Sequence, residues 1–276
     1  MTICCGGELV DLTRPRVMGI LNCTPDSFYD GGKYWDPYLA LKQAESMLKE
    51  GADFIDVGGY SSRPGAADVP EDEERKRVIP FIEGLLEEFP EARISIDTFR
   101  ASIAREALDA GAQLINDISA GHRDSGMLPL VAERQVPYIM MHMRGTPQDM
   151  TGQTDYKDLI PDILYYFSER LSEARQLGIT DCIVDPGFGF AKTREQNFSL
   201  LKALPAFETL RTPVLVGISR KSMIYKTLGV TSEEALNGTT ALHMLAIKGG
   251  AHILRVHDVK EAVQCVRLWE AFTQAP

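Results

Sequence analysis

Residues 94–119 read ISIDTFRASIAREALDAGAQLINDIS, and the order of periods in this stretch decides the fold. Ile94 to Ile96 is a short β-branched run, Ala101 to Ala110 carries a helical period, Gly111 stops it, and Leu114 to Ile115 opens a second apolar run. Strand, helix and strand in so short a span make one βα unit leading into the next. Polar side chains follow each run at once: Asp97 after the first, Asn116 and Asp117 after the second.

The same alternation extends in both directions. Further strands are predicted at Val17 to Leu21, Phe54 to Val57, Tyr138 to Met141, Cys182 to Val184, Val214 to Val216 and Ile253 to Val256. Asp36 and Pro37 cap and open a helix that stops at Gly51. The phrases EGADFIDVGG, DAGAQLINDIS and KGGAHILRVHD repeat one pattern, a helix end, Gly-Ala and a strand, with the glycine ending the helix in a left-handed turn. No Pro/Ser-rich linker divides the eight units, and two independent domains would each keep an open half-sheet. The expectation is therefore an α/β protein, a single-domain (β/α)8 TIM barrel over 1–276, with 1–15 as an N-terminal extension or hairpin. The acidic segment PEDEERKRV from Pro70 mixes both signs and reads as a solvated first helical turn without a catalytic role.

Composition narrows the function. A chain of 276 residues with 44% hydrophobic content can bury roughly 75% of the surface it exposes unfolded, so disulfide miniproteins, collagens and disordered chains are excluded. A net charge of −10 supplies no positive field for a nucleic-acid backbone. Cys4, Cys5, Cys23, Cys182 and Cys265 are odd in number and scattered, which suits a reduced, cytoplasmic protein. The start MTICCGGELVDL has no basic region followed by an apolar run, and no apolar stretch is long enough for a membrane span.

In a barrel of this kind, reactive groups collect at the C-terminal strand ends. There the sequence places Asn22; Ser61, Ser62 and Arg63; Asp97; Asn116 and Asp117; His142 and Arg144; Asp185; Ser219, Arg220, Lys221 and Ser222; and Arg255, His257 and Asp258. A single strand-end Asp is as often a helix cap, but polar groups at all these ends together mark a site. Asp97, Asn116, Asp185 and Lys221 suit a flat heterocycle with adjacent N–H donors and acceptors. Asn22, Ser62, Arg63, Arg255 and His257 suit a polyanion such as pyrophosphate, and Asn22 or Asp30 could face a hard divalent ion. The Gly-rich loops after Asp30 and Gly58 read as mobile, in the manner of lids at this face. Cys23 reads as packing, His142 as structural, and Met140, Met141 and Met143 as core by default.

Seven segments in order, MGILNCTPDSFYDGG (18–32), IDVGGYSSRPGA (55–66), residues 94–119, MMHMRGTPQDM (140–150), IVDPGFGFAKT (183–193), VGISRKS (216–222) and RVHDV (255–259), resemble the dihydropteroate synthase family. The resemblance spans nearly the whole chain. It implies a TIM barrel that joins (7,8-dihydropterin-6-yl)methyl diphosphate to 4-aminobenzoate, giving 7,8-dihydropteroate and pyrophosphate for folate synthesis, with Mg²⁺ assisting and sulfonamides as inhibitors.

Carried over by position, the resemblance implies a pterin pocket of Asp97, Asn116, Asp185 and Lys221 with Met140 and Phe190 packing on the ring. Pyrophosphate would meet Asn22, Ser62, Arg63, Arg255 and His257, and the metal Asn22 and Asp30. Aminobenzoate would lie among Phe28, Ser62, Arg63, Pro64, Lys221 and Ser222. Asp97, Lys221 and Arg63 are the expected catalytic residues. C–O cleavage would come first, with Asp97 facing the cationic pterin, and amine attack second. Three positions depart from the family pattern: Tyr60 replaces Glu, Ser62 replaces Thr, and Ala191 replaces a Gly, where its methyl disfavours positive φ.

Two rival readings are a methyltetrahydrofolate-dependent methyltransferase, which has no need of an anion cradle, and a non-catalytic pterin-binding paralogue. The helices Glu233 to Lys248 and Lys260 to Phe272 carry apolar stripes wider than a barrel wall needs, which points to a homodimer, as the family also suggests.

Overall fold

The computed structural model describes residues 1–24, 37–60 and 68–275. Among them the chain opens with an antiparallel hairpin, β1 (Thr2–Cys5) and β2 (Glu8–Asp11), which turns at Gly6 and Gly7, both at positive φ. Then β and α elements alternate. They are β3 (Arg16–Asn22), α1 (Pro37–Glu50), β4 (Phe54–Gly58), α2 (Glu71–Glu88), β5 (Ile94–Asp97), α3 (Ala101–Asp109), β6 (Leu114–Asp117), α4 (Met127–Arg134) and β7 (Tyr138–Met141). There follow α5 (Leu159–Gln176), β8 (Cys182–Asp185), α6 (Arg194–Lys202), β9 (Leu215–Val216), α7 (Ser222–Leu228), α8 (Leu236–Lys248), β10 (Ile253–Val256) and α9 (Val259–Gln274).

All eight predicted strands form, and every pairing in the large sheet is parallel, in the order β8-β7-β6-β5-β4-β3-β10-β9. A parallel bridge from Val184 to Val214 joins the two ends and closes the barrel. The predicted helix stops at Gly51 and Gly111 also hold, with φ of +102° and +107° that a side chain would resist.

Strand alternation sorts the core into two parts. Outward residues such as Val17, Ile55, Ile96, Ile115, Val184 and Leu254 pack under the helices in one continuous apolar layer. Inward residues Met18, Phe54, Leu114, Ile139, Ile183, Leu215 and Ile253 meet Ile3, Cys5, Val10 and Leu12 of the hairpin. The hairpin therefore plugs the N-terminal end of the barrel with its apolar edge. The acidic run after Pro70 is not wholly solvated as its composition suggests. Glu74 in α2 is fully buried, accepting Thr98 Oγ1 at 2.6 Å and pairing with Arg100, and burial pushes its carboxyl above the usual range.

Candidate active site

Two residues beyond the apolar floor, the same strand faces present polar groups. Phe54 is followed by Asp56, Leu114 by Asn116, Ile183 by Asp185 and Ile253 by Arg255. One further step brings Asn22 beside Gly58, and Gly58 beside Asp97, at the mouth. These strands run one or two residues past their apolar runs, so Asn22, Asp97, Asn116 and Asp185 sit on the sheet itself and not on its loops.

Hydrogen bonds join these groups across the lumen. Arg255 donates through Nε to Asp56 Oδ2 and through Nη2 to Asp97 Oδ2, each at 2.6 Å. Asn116 Nδ2 donates to the same Asp56 oxygen at 2.9 Å. Asp56 is fully buried, and its Oδ1 has no hydrogen-bond partner among the described residues. Asp185 Oδ1 accepts the Gly187 N–H at 2.8 Å. Lys221, just ahead of α7, donates to the Phe188 carbonyl, and its ammonium stands 4.8 Å from the centre of the Phe190 ring. Gly217 lies beside both cations, and a Cβ there would make ordinary contact at 3.9 Å with Lys221 Nζ and Arg255 Cβ.

Three carboxylates thus share the lumen with two cations. Burial raises Asp97, against the pull of Arg255 and with repulsion from Asp56, Glu74 and Asp117 added to it. Burial likewise raises Asp185, while Lys221 and the Gly187 N–H favour its charge. Lys221 is lowered to about 8 by burial, which Asp185 opposes. Burial also works against the charge of Arg255, but Asp56 and Asp97 outweigh it and hold the guanidinium protonated. Such a set can bind a heterocycle that offers several N–H donors and becomes cationic. A ligand donor would also satisfy Asp56 Oδ1.

Asp97, Asn116, Asp185 and Lys221 all come together as the sequence predicted. Met140 does not join them. It faces outward into the layer under the helices, and its neighbour Met141 faces the mouth, clustered with Tyr60, Phe99 and Phe190. The period of two puts Met141, not Met140, on the inner face of β7. Arg255, expected in the anion cradle, pairs with the carboxylates of Asp56 and Asp97. Asn22 ends β3, Ser222 opens α7, and the His257 N–H donates to Ser219 Oγ at 3.2 Å. Phe28, Asp30, Ser62, Arg63 and Pro64 lie outside the described residues, as do most of the two Gly-rich loops.

Arg220 and Asp258, both in predicted site motifs, hold each other through two N–H···O bonds of 2.9 and 2.8 Å and so tie the loop after β9 to the start of α9. Ala191 takes a left-handed φ of +49° despite its methyl. Tyr60 packs edge-on against Phe99 at 5.1 Å, with its hydroxyl 3.1 Å from Asp68 Oδ1. Sequence reading missed Asp56. The signal was present, because an Asp inside the run FIDVG two residues after Phe54 must share its face.

Residues 18–257 match the family described as pterin binding enzyme. A dihydropteroate synthase of Escherichia coli strain K12 is 45% identical over 271 residues, covering 98% of this chain and 95% of that protein. The crystal structure of Yersinia pestis dihydropteroate synthase with a sulfonamide drug superimposes with a TM-score of 0.93 at 42% identity, covering 100% of both chains. Dihydropteroate synthase from Xanthomonas albilineans in complex with 7,8-dihydropteroate gives 0.90 at 39% identity, again covering 100% of both. The chain belongs to the pterin binding enzyme family. The relatives it matches from end to end are dihydropteroate synthases, and it falls among them.

Proposed function

We propose that the lumen-mouth cluster of Asp97, Asn116, Asp185, Lys221 and Arg255 carries out this family's condensation, an alkyl transfer joining (7,8-dihydropterin-6-yl)methyl diphosphate to 4-aminobenzoate with release of pyrophosphate. The observation that carries the reading is the network around Asp56, where Asn116 and Arg255 meet one buried carboxylate oxygen and the other has no partner among the described residues. Asp185 and Asn116 take the pterin N–H and carbonyl edges, while Met141 and Phe190 flank the ring. As the C–O bond breaks, ring nitrogens delocalise the positive charge and Asp97 faces it. Arg255 keeps Asp97 in place and favours its charge against burial, and Lys221 stands by the departing side. The arylamine attacks last and needs no covalent enzyme intermediate.

Arg63, Ser62, Asn22 and His257 complete the anion side of this reading, with Phe28, Pro64 and Ser222 about the aminobenzoate. Mg²⁺ fits as an ion shared with the diphosphate. Asn22 offers one hard oxygen at the mouth, and Mg²⁺ commonly takes one or two protein ligands plus phosphate oxygens. Asn22 and Asp30 would hold it, and it would supply charge neutralisation to the leaving group. A homodimer would cover Leu228, Leu245, Leu268 and Phe272, which are all exposed on α7 to α9. Free thiols throughout suit a cytoplasmic setting, and no helix among the described residues is long and apolar enough to cross a membrane.

Pyrophosphate release measured with and without 4-aminobenzoate tests the reaction. Release that depends on the arylamine and is blocked by a sulfonamide supports it, and no release with both substrates present refutes it. A methyl-transfer enzyme or an inert paralogue would give the second result.

A further inference from the structure

Lys192 lies in the loop between β8 and α6 and is only 8% exposed, yet among the described residues it donates to no carboxylate. Its Nζ lies 3.0 Å from His142 Nδ1, 3.0 Å from the Gly187 carbonyl and 3.1 Å from the Phe190 carbonyl. An ammonium carries three hydrogens and no lone pair. Three acceptors therefore satisfy it completely, provided that His142 is neutral with its proton on Nε2. His142 is neutral, and the contact with Lys192 favours the Nε2 tautomer. It is 2% exposed, and burial, helped by Lys192 and Arg144, pushes its ring down to about 2. Burial lowers Lys192 itself to about 7, with Asp185 favouring its charge and Lys221 and Arg144 opposing it, so the three contacts are held by an ammonium below that pH and by the amine above it.

The backbone held in this way is the segment that shapes the pocket. Gly187 donates its N–H to Asp185, Phe188 gives its carbonyl to Lys221, and the Phe190 ring lies beside the Lys221 ammonium. The segment runs so close to β7 that a Cβ on Gly187 would fall 2.0 Å from the His142 carbonyl oxygen, at a φ of +73°. Close approach sets where the loop lies, and a buried donor is needed to stop its carbonyls from turning.

We propose that Lys192, together with His142, is a positioning residue for the pterin subsite: a three-bond strut that fixes the Gly187–Phe190 backbone and through it aims Asp185 and the Phe190 ring. The proposal rests on the reading that pterin binds against Asp185. It predicts selectivity, because the segment that the strut holds carries Asp185 and the Phe190 ring on the pterin side and reaches the aminobenzoate side only through Lys221.

Steady-state kinetics on the full chain tests it. K192M raises KM for the pterin diphosphate about tenfold or more, as expected for one or two lost charge-assisted hydrogen bonds, and leaves KM for 4-aminobenzoate within about twofold. K192R, which restores donors and charge, recovers part of the loss. H142F, which removes one acceptor at similar volume, raises the same KM by a smaller factor and serves in place of K192M if that variant fails to fold. In ¹⁵N spectra of the ring, His142 Nδ1 is unprotonated in the wild type and loses that preference in K192M. A pterin KM unchanged in both K192M and H142F, or an equal rise for both substrates, overturns the strut. D185N separates the two levels: if it leaves pterin binding intact, the site reading fails and the strut falls with it, whereas loss in D185N alone refutes only the strut.

Discussion

Two side-chain layers lie one above the other inside the barrel, on the same strands and only two residues apart. The lower is Met18, Phe54, Leu114, Ile139, Ile183, Leu215 and Ile253, sealed by the hairpin. The upper holds Asp56, Asn116, Asp185 and Arg255, with Asp97 just beyond. The lower layer is stabilised by burial and close packing of apolar side chains alone. In the upper layer burial works against the charge of Asp97, Asp185 and Lys221. One end of the lumen thus holds the fold, and the other gives up stability to keep charged groups buried for binding.

Removing a large lower-layer side chain tests this division most severely. Phe54→Ala is expected to cost about 3 to 5 kcal/mol in denaturant unfolding, the usual range for a buried Phe in a tight core. The surviving folded fraction should keep wild-type KM for both substrates. A large change in pterin KM would mean that the layers are coupled.

A buried misfit under the helices sharpens the contrast, since it carries charge cost without function. His243 in α8 is 1% exposed, and neither ring nitrogen has a partner among the described residues. Burial lowers it to about 4, with Asp258 opposing. Between pH 6.5 and 4 the unfolded chain therefore takes up a proton that the folded one refuses, so stability falls as pH falls. The loss is about 3 kcal/mol at 1.36 kcal/mol per pH unit. Subtracting the pH–stability curve of His243→Leu from that of the wild type should isolate this slope. The raised Asp97 and Asp185 act in the opposite sense, being stabilising at low pH and losing that contribution as pH rises through their folded values.

Within the upper layer, Asp185→Asn exchanges a buried charge for a neutral amide of the same shape. Pterin affinity by calorimetry should fall about 30- to 100-fold, equivalent to about 2 to 3 kcal/mol for a lost charge-assisted pair. The thermal midpoint should stay level or rise. Loss of both affinity and stability would place Asp185 with the floor residues.

The floor was legible because alternation and length are local signals. All eight strands fall where the apolar runs predicted, and the barrel follows from their number. The site was half legible. Asp97, Asn116 and Asp185 follow apolar runs, so their place at the mouth could be read directly. Pairing could not, because Arg255 meets Asp56 across 199 positions of sequence and Glu74 meets Arg100 across 26. Met140 and Met141 differ only in parity, which a four-residue apolar strand does not reveal until one neighbour's direction is known.

The smallest effect lies at the loop that joins the layers' logic. Ala191 sits at a φ of +49° and is almost fully buried, with its carbonyl accepting Tyr156 Oη at 2.9 Å. The sequence led one to expect that a methyl would move the chain away from positive φ, and it has not. Lys192, one residue on, is held at three points, and Tyr156 holds Ala191 itself, so the surrounding bonds over-determine the turn. Strain of about 1 to 2 kcal/mol is the expected cost of a left-handed alanine. Ala191→Gly relieves it but gives back about 0.4 to 1 kcal/mol through the freer unfolded chain. A net gain of about 0.5 to 1 kcal/mol in unfolding free energy should result. If pterin KM also stays fixed, then the loop's geometry is set by Lys192 and not by its neighbour's backbone preference.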